Sequence, residues 1–491
     1  MSTVAGAFAL TQKGLEDIVQ RTYNMQVYNQ NRGEKAAAMT AARNTKVSFD
    51  TFNGNGFVHD ALGNELKHLK SNEPVATIGY NMRSRLVGRE PHTVSGKKYK
   101  VAGAMDGYLL DSKKPLNRTI TECYLNHLED TKDFEEAGIR LMQEYYGRGP
   151  YTAIFMVNDG QETSQIIIRD PFGMKPLNLA VNDDVVLTCS ENVGFQKARM
   201  TYGEKFDVCR PVEPGEMIIL NSSASLNDLK NPNIIYESNK TFGDIFEYFY
   251  SSNKNSVFDG VPVGIFRKNL GVALTEMYPE INEIDEITYS PDSGLSLSEG
   301  LGLTEGFIKR PKQFLTKIPG SKKIYLLEDR EEREHFGDLK WQLDEELVKE
   351  IAREYGRPFS VIIAEDSIVT GNNCKKMNNL FKIVEKLVSK LYYGVSAPPL
   401  RFPSIDNIES FDRQKYVAEG LANPDVREID KIVAKKINSD GVFYMDLETA
   451  VKTLGRRDVS TEYFTGDYPV LLKYLKKYDF NLPKGYSSLL D

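Results

Sequence analysis

Ser360-Val-Ile-Ile-Ala364 is a short apolar run rich in β-branched residues, and Glu365-Asp366-Ser367 follow it directly. Then come Ile368, Val369, Thr370, Gly371, Asn372 and Asn373. Beyond them Met377, Leu380, Phe381, Val384, Leu387, Val388 and Leu391 recur at helical spacing. Strand, acidic pair, hydroxyl-and-glycine turn, helix is an arrangement suited to a phosphosugar. A tight loop opening a helix points backbone N–H groups and the positive end of the helix dipole at a phosphate. Gly371 lets the chain come close, Ser367 and Thr370 offer hydroxyls, and Asn372 and Asn373 offer amide donors. Glu365 and Asp366, at the carboxyl end of a strand, can accept from ribose hydroxyls or hold Mg2+ through water. The same pattern also describes an ordinary βα turn with a solvated acidic pair.

Two other features carry chemistry. Residues 309–323 hold Lys309, Arg310, Lys312, Lys317, Lys322 and Lys323, with Phe314 among them and no acidic residue. That reads either as an anion or RNA contact or as a solvated basic loop, and the second is preferred because a Glu-rich run from Glu328 to Glu334 dilutes it. Cys374 stands at the start of the proposed phosphate-loop helix. The dipole there can lower a thiol pKa, although such a cysteine is more often tucked under its helix.

The elements that must position these residues differ between the two halves. In the first ~220 residues, short strands alternate with Gly and Asn-Gly turns. Val4 to Leu10 reads as a strand and residues 15–28 as a helix. Tyr151 to Val157 and Gln165 to Ile168 bracket Asn158-Asp159-Gly160, a strong hairpin signal. Val185 to Cys189 and Met217 to Leu220 read as further strands, and the polar stretch from Asn221 to Lys240, with Pro232 inside it, as a linker. The second half alternates strand-like runs with amphipathic helices, which implies βα units and a parallel sheet.

Composition bounds the rest. The chain has 491 residues, with 62 Lys+Arg against 69 Asp+Glu, a formal charge of −7. This length calls for two or three domains, and the mild acidity argues against a surface built throughout for nucleic acid. Cys123, Cys189, Cys209 and Cys374 are widely spaced with no Cys-x-x-Cys pair, so neither a disulfide framework nor a zinc or cluster site is expected. Five histidines leave little room for a His-rich metal site. The opening residues lack the basic start and cleavage pattern of a signal peptide, and no run of eighteen apolar residues occurs. A cytoplasmic protein with no membrane contact is expected.

At Ala364-Glu-Asp-Ser-Ile-Val-Thr-Gly371 the sequence resembles the Val-Asp-Asp-Ser-Ile-Val-Arg-Gly motif of the glutamine phosphoribosylpyrophosphate amidotransferase family. Further similar segments follow in the family's order: Asn31-Arg-Gly-Glu-Lys-Ala-Ala37, Arg169-Asp-Pro-Phe-Gly-Met-Lys-Pro-Leu177, Ser190-Glu-Asn and Pro214-Gly-Glu216. Ile245-Phe-Glu-Tyr-Phe249 resembles the start of the family's transferase domain, and Pro291-Asp-Ser-Gly294 its pyrophosphate loop. Ser396 to Pro403, Asp440 to Leu447 and Phe464 to Pro469 resemble three later segments. The resemblance implies an N-terminal-nucleophile, class II glutamine amidotransferase-like αββα sandwich over 1–237. It implies a type I phosphoribosyltransferase-like α/β domain with a mainly parallel sheet over 238–469, then a C-terminal extension over 470–491. It also implies a homo-oligomer or protein complex.

That family hydrolyses glutamine with an N-terminal Cys and adds the ammonia to phosphoribosylpyrophosphate with Mg2+. Here the implied nucleophile falls on Ser2, which is terminal only if Met1 is removed, and a hydroxyl is far less ionised than a thiol. The substrate-binding Arg falls on Arg83, one place out of register. The oxyanion Asn-Gly pair falls on Asp106-Gly107, where a carboxylate repels developing negative charge; losing one such donor costs ~10²–10³ in rate. An amine-binding Asp falls on Ile120. These changes point to lost glutamine hydrolysis.

The transferase site is worn rather than erased. Asp292, Ser293 and Gly294 match the pyrophosphate loop. Glu365 and Asp366 keep the acidic pair and the Mg2+ position that the resemblance implies, and Ser367, Thr370, Gly371, Asn372 and Asn373 form the phosphate turn. The family's mobile loop corresponds to Lys309–Ile318, where its Gly-Arg pair is gone and Pro311 stiffens the chain. Some members carry an iron–sulfur cluster, whose Cys-x-x-Cys falls on Ser460 and Tyr463, so no cluster is expected. The expectation is a non-catalytic structural, regulatory or binding paralogue that retains phosphoribosylpyrophosphate or purine-nucleotide binding. The alternative is an ammonia-dependent phosphoribosyltransferase making phosphoribosylamine in purine biosynthesis.

Overall fold

Small residues dominate the first strands because those strands are covered on both faces. Thr3–Ala9 (β1), Ala36–Ala42 (β2) and Ala76–Met82 (β4) are buried along their whole length, whereas Phe49–Asn55 (β3) is not. Alanine and glycine let the Ile18–Tyr28 helix pack close on one side and a second sheet on the other. At Gly79 a Cβ would stand 2.5 Å from the Gln26 side chain of that helix. The computed structural model describes residues 2–43, 48–66, 74–82, 91–109, 112, 114–304, 307–318, 341–402, 416–418, 421 and 425–468.

The remaining strands of this half are His92–Ser95 (β5), Lys100–Gly107 (β6), Tyr151–Asn158 (β7), Thr163–Arg169 (β8), Asn178–Val181 (β9), Val185–Cys189 (β10), Val208–Pro211 (β11) and Met217–Leu220 (β12). One antiparallel sheet runs β11-β9-β10-β1-β4-β2-β3 and the other β12-β8-β7-β6-β5. The two face each other across a core built from Val4, Phe8, Ile78, Ile154 and Ile167. Leu116–Thr131 and Phe134–Tyr145 close the far side of the second sheet, burying Ile120, Tyr124, Leu128 and Leu141. The order of layers is helix, sheet, sheet, helix, as the sequence resemblance implied.

The 151–168 hairpin forms as expected, with Asp159 N donating to Glu162 O and Gly160 at φ 94°. The expected linker is different. Within Asn221–Lys240, Ser225 and Asp228 form a capping box for a short helix at Leu226–Leu229, and Ile235 packs on the second sheet's core. Buried Leu229 and partly buried Ile235 hold this segment down despite its polar composition.

In the second half, Glu286–Tyr289, Phe359–Glu365, Val388–Val395 and Gly441–Tyr444 form a four-stranded parallel sheet in that order. The Val263–Met277 and Leu295–Leu301 helices bury Leu270, Leu274 and Leu297 on one face. Glu345–Tyr355, Asn372–Phe381 and Val426–Ile437 bury Val348, Met377 and Val433 on the other. The helix expected to run to Leu391 ends at Phe381, and Val388 and Leu391 lie in a strand. Val388-Ser-Lys-Leu-Tyr-Tyr-Gly-Val395 is rich in β-branched and aromatic residues, and pairing with Phe359–Glu365 overrides the helical period.

Candidate functional site

β1 is the centre of its sheet, so its amino end lies deep in the fold. β6 ends at Asp106-Gly107 beside it, and the two ends meet: Ser2 N donates to Asp106 Oδ1 at 2.8 Å. Tyr80 O–H donates to Ser2 Oγ at 2.9 Å. Gly107, at φ 138°, leaves no room for a side chain, since a Cβ would meet Pro150 O at 2.2 Å.

Arg32 closes this corner. Its Nε donates to Ser2 O at 2.9 Å, its Nη2 pairs with Asp106 Oδ2 at 3.0 Å, and its fork grips Glu247 with two bonds of 2.8 Å. Glu191 lies 3.4 Å from Nη1, and Lys175 lies 3.6 Å from Glu247. Every side chain in this group is essentially inaccessible to solvent. Burial alone would raise the Glu247 carboxyl, yet Arg32 and Lys175 outweigh it and hold it well below the usual carboxylate range. Burial likewise disfavours the Arg32 cation, and Glu247, Asp106 and Glu191 more than offset that.

The expectation for Asp106 is sharpened by these contacts. Both of its oxygens are engaged, one by Ser2 N and one by Arg32, so the position offers acceptors and no donor to a developing oxyanion. Arg32, Lys175, Glu191 and Glu247 were missed as site residues. Each nonetheless lies inside a segment quoted above for its resemblance, and Glu247 sits between apolar neighbours in Ile245-Phe-Glu-Tyr-Phe249. A charge in an apolar run is the signal that a buried partner exists. Arg83 lies outside the described residues.

The second site forms at the carboxyl ends of two adjacent parallel strands. Ser290 N donates to Ala364 O at 2.9 Å, which seats Pro291-Asp-Ser-Gly294 against the start of the acidic turn. Gly294 is required there because a Cβ would stand 2.1 Å from Ala364 O. Asp292 adopts φ 76° and its exposed carboxylate pairs with Lys317 at 3.3 Å. A non-glycine residue in that region is strained, and strain of this kind concentrates at ligand-binding turns.

Glu365 and Asp366 are buried, and Asp366 Oδ2 accepts from Ser367 Oγ at 2.9 Å. The main chain of Asp366 is fixed by Ala397 N at 2.9 Å and Ser396 Oγ at 3.1 Å. Gly371, at φ 78°, opens the Asn372–Phe381 helix, with Asn372 and Asn373 exposed and Thr370 Oγ1 accepting from Asn372 N. The structure therefore brings Asp292, Ser293 and Gly294 together with the 365–373 turn, as one site.

Cys374 is tucked beneath its helix, and burial, with the Glu365 and Asp366 carboxylates, pushes its thiol well up, so the dipole does not activate it. The basic loop is also committed internally. Phe314 is fully buried, Lys312 pairs with Glu286 at 3.1 Å, and Lys309 Nζ donates to Ile284 O. Residues 319–323 lie outside the described residues.

Hydrogen bonds lead from the first site to Arg267, whose interaction with Asp366 of the second is electrostatic rather than a hydrogen bond. Ser252 Oγ donates to Glu247 Oε2 at 2.9 Å, and Arg267 Nη2 donates to Ser252 O at 2.8 Å. Burial lowers the buried Arg267 guanidinium to about 10, with Asp366, Glu191 and Glu247 pulling the other way.

No family model matches the chain. An amidophosphoribosyltransferase of Pyrococcus horikoshii is 25% identical over 478 residues, spanning 92% of this chain and 94% of that one. Its counterpart in Methanocaldococcus jannaschii is 23% identical over 503 residues, spanning 96% and 99%. Among solved structures, the glutamine phosphoribosylpyrophosphate amidotransferase of B. subtilis complexed with ADP and GMP matches with a TM-score of 0.75 at 21% identity. That match covers 95% of this chain and 97% of that one. Along nearly its whole length the chain is similar to amidophosphoribosyltransferases, and it shares their fold.

Within this amidophosphoribosyltransferase framework, the positions matching the cluster ligands of some members are Ser460 and Tyr463, both buried. Ser460 Oγ donates to Glu462. Among the described residues no helix is long and apolar enough to cross a membrane.

Proposed function

We propose that this protein is an amidophosphoribosyltransferase relative that has lost glutamine hydrolysis and retains a phosphoribosyl or purine-nucleotide site, acting as a binding or regulatory partner. The observation that carries the first half is the Asp106 carboxylate, set 2.8 Å from Ser2 N and ion-paired to Arg32. With Met1 present, Ser2 N is a peptide amide and cannot act as a base, and the hydroxyl accepts from Tyr80 O–H. With Met1 removed, the adjacent carboxylate favours the protonated amine, which cannot take the hydroxyl proton. The oxygen-only pair Glu365–Asp366 would hold Mg2+, which keeps most of its waters, and Ser367 orients one Asp366 oxygen. Ser460 and Tyr463 supply no thiolate, so the reading includes no iron–sulfur cluster.

Calorimetric titration with phosphoribosylpyrophosphate, AMP and GMP, with and without Mg2+, tests this reading. Binding that is lost in Asp366→Ala supports it, and no binding by any of the three would leave a scaffold only. The second reading, an ammonia-dependent phosphoribosyltransferase, is favoured by the retained Asp292 turn. Pyrophosphate release that requires ammonia would put it first.

A further inference from the structure

The Leu116–Thr131 and Phe134–Tyr145 helices form an antiparallel hairpin on the outer face of the second sheet, and a cleft of about 460 Å³ opens beside them. Cys123 and His127, one helical turn apart, project into it from the first helix, and Glu144 meets them from the second. Cys123 Sγ lies 3.3 Å from Glu144 Oε2, and His127 Nε2 lies 3.0 Å from the same oxygen. The three candidate ligand atoms all fall within 4.8 Å of one another.

We propose that Cys123, His127 and Glu144 bind a divalent ion of the zinc type. Sulfur, imidazole nitrogen and carboxylate oxygen are three of the ligand types such an ion takes, and they come here from two elements held rigid by core packing. Tetrahedral bonds of ordinary length place ligand atoms ~3.5 Å apart, so small rotations of these side chains suffice. On binding, the ion displaces the Cys123 proton to solvent and bonds the sulfur, the His127 nitrogen and the Glu144 oxygen. Asp130, one turn beyond His127 and lining the same cleft, or a water completes the set. Glu122 is drawn away by Lys114 at 2.5 Å and Arg118 at 2.7 Å.

A nucleophilic reading of the same three residues fails. Burial first, and then Glu144, push the Cys123 thiol up, the opposite of an activated cysteine. The thiol's hydrogen bond is to the carboxylate rather than to the imidazole. The absence of a Cys-x-x-Cys pair therefore does not exclude a metal site, because a Cys-x-x-x-His turn and a Glu seventeen residues on serve instead. The site also bears on Ser2. The cysteine helix carries Asn117, whose Oδ1 accepts from Met105 N at 2.8 Å, next to Asp106. An ion pinning the hairpin stiffens the strand end that holds Ser2.

Titration of the full chain, free of any affinity tag, with Co2+ reads the site directly. The expected result is about one Co2+ per chain, with a near-ultraviolet thiolate-to-cobalt band and the strong visible absorption of four-coordinate cobalt, displaced by Zn2+. Cys123→Ser abolishes the thiolate band. Because Cys123 is buried and that variant can misfold, the exposed Glu144→Gln and the partly exposed His127→Gln supply the second arm. Each weakens binding by ~100-fold or more, since losing a ligand costs at least as much as losing a residue that orients one, with circular dichroism unchanged. Zn2+ raises the melting temperature of the parent but not of His127→Gln. The inference is overturned by the absence of a thiolate band, or by a band lost in Cys209→Ser rather than in Cys123→Ser. Binding unaffected by His127→Gln and Glu144→Gln also overturns it.

Discussion

The Ser2 corner and the turn after Phe359–Glu365 both gather carboxylates at the end of a strand, yet they treat them in opposite ways. At Ser2 the acids are consumed. Asp106, Glu191 and Glu247 all point at Arg32, and the group is sealed from solvent. At the second site the acids stand at the floor of an open turn, with Asn372, Asn373 and Asp292 exposed above them. A charge cluster whose members satisfy one another is an anchor, because little remains to engage a substrate. A strained turn whose donors face water is a receptor. Charge is turned inward in one half of the molecule and borders an open turn in the other.

The largest expected effect breaks the anchor. Arg32→Met removes the cation that three buried carboxylates share, and removing one partner of a buried pair costs ~3–5 kcal/mol, so denaturant unfolding should show a loss of that size. A loss under 1 kcal/mol would mean that solvent reaches this corner. Gly294→Ala comes next and strikes the receptor. Its Cβ meets Ala364 O, and overpacking of this kind costs ~1–3 kcal/mol while displacing the turn. Calorimetry should then show nucleotide or phosphoribosylpyrophosphate affinity falling by more than the stability loss explains, whereas the Ser2 corner keeps its structure.

Acid titration separates the halves further. Arg32 holds the Glu247 carboxyl low, against an unfolded value of ~4.3, so its stabilisation is present above that value and is lost as pH falls below it. Asp430, in the transferase-like half, behaves oppositely. Burial lifts it to about 7, and the hydrogen bonds from Tyr278 O–H and Tyr444 N only partly offset that. Its contribution is full below ~3.9 and declines as pH rises through about 7. Asp430→Asn should therefore flatten the stability profile between those limits, measured by thermal melts, and leave the acid limb unchanged. The smallest effect concerns activity. Asp106→Asn combined with Ser2→Cys should give at most trace glutamine hydrolysis, read as glutamate release. Robust turnover would show that two residues alone closed this site.

The hairpin at 151–168 and the strands at 185–189 and 217–220 were legible because their local signals agree with their tertiary setting. The 377–391 run was misleading, since a helical period fits it nearly as well as a strand until its neighbour is known. Asp292, Ser293, Gly294 and the 365–373 turn were legible as two motifs that the resemblance placed in one site, and the fold supplies the contact between them, Ser290 N to Ala364 O. The Arg32 group was not legible as a site, although all its members lay in recognisable segments.

Sequence alone determined the family resemblance, the two-domain order and the replacements at Ser2, Asp106 and Ile120, because residue types at ordered positions do not depend on distance. Which charges meet was decided by tertiary structure. Arg32 and Glu247 are 215 residues apart, and Cys123 and Glu144 lie on different helices. Pairing across such separations follows from sheet register and helix packing, which no local window of sequence contains.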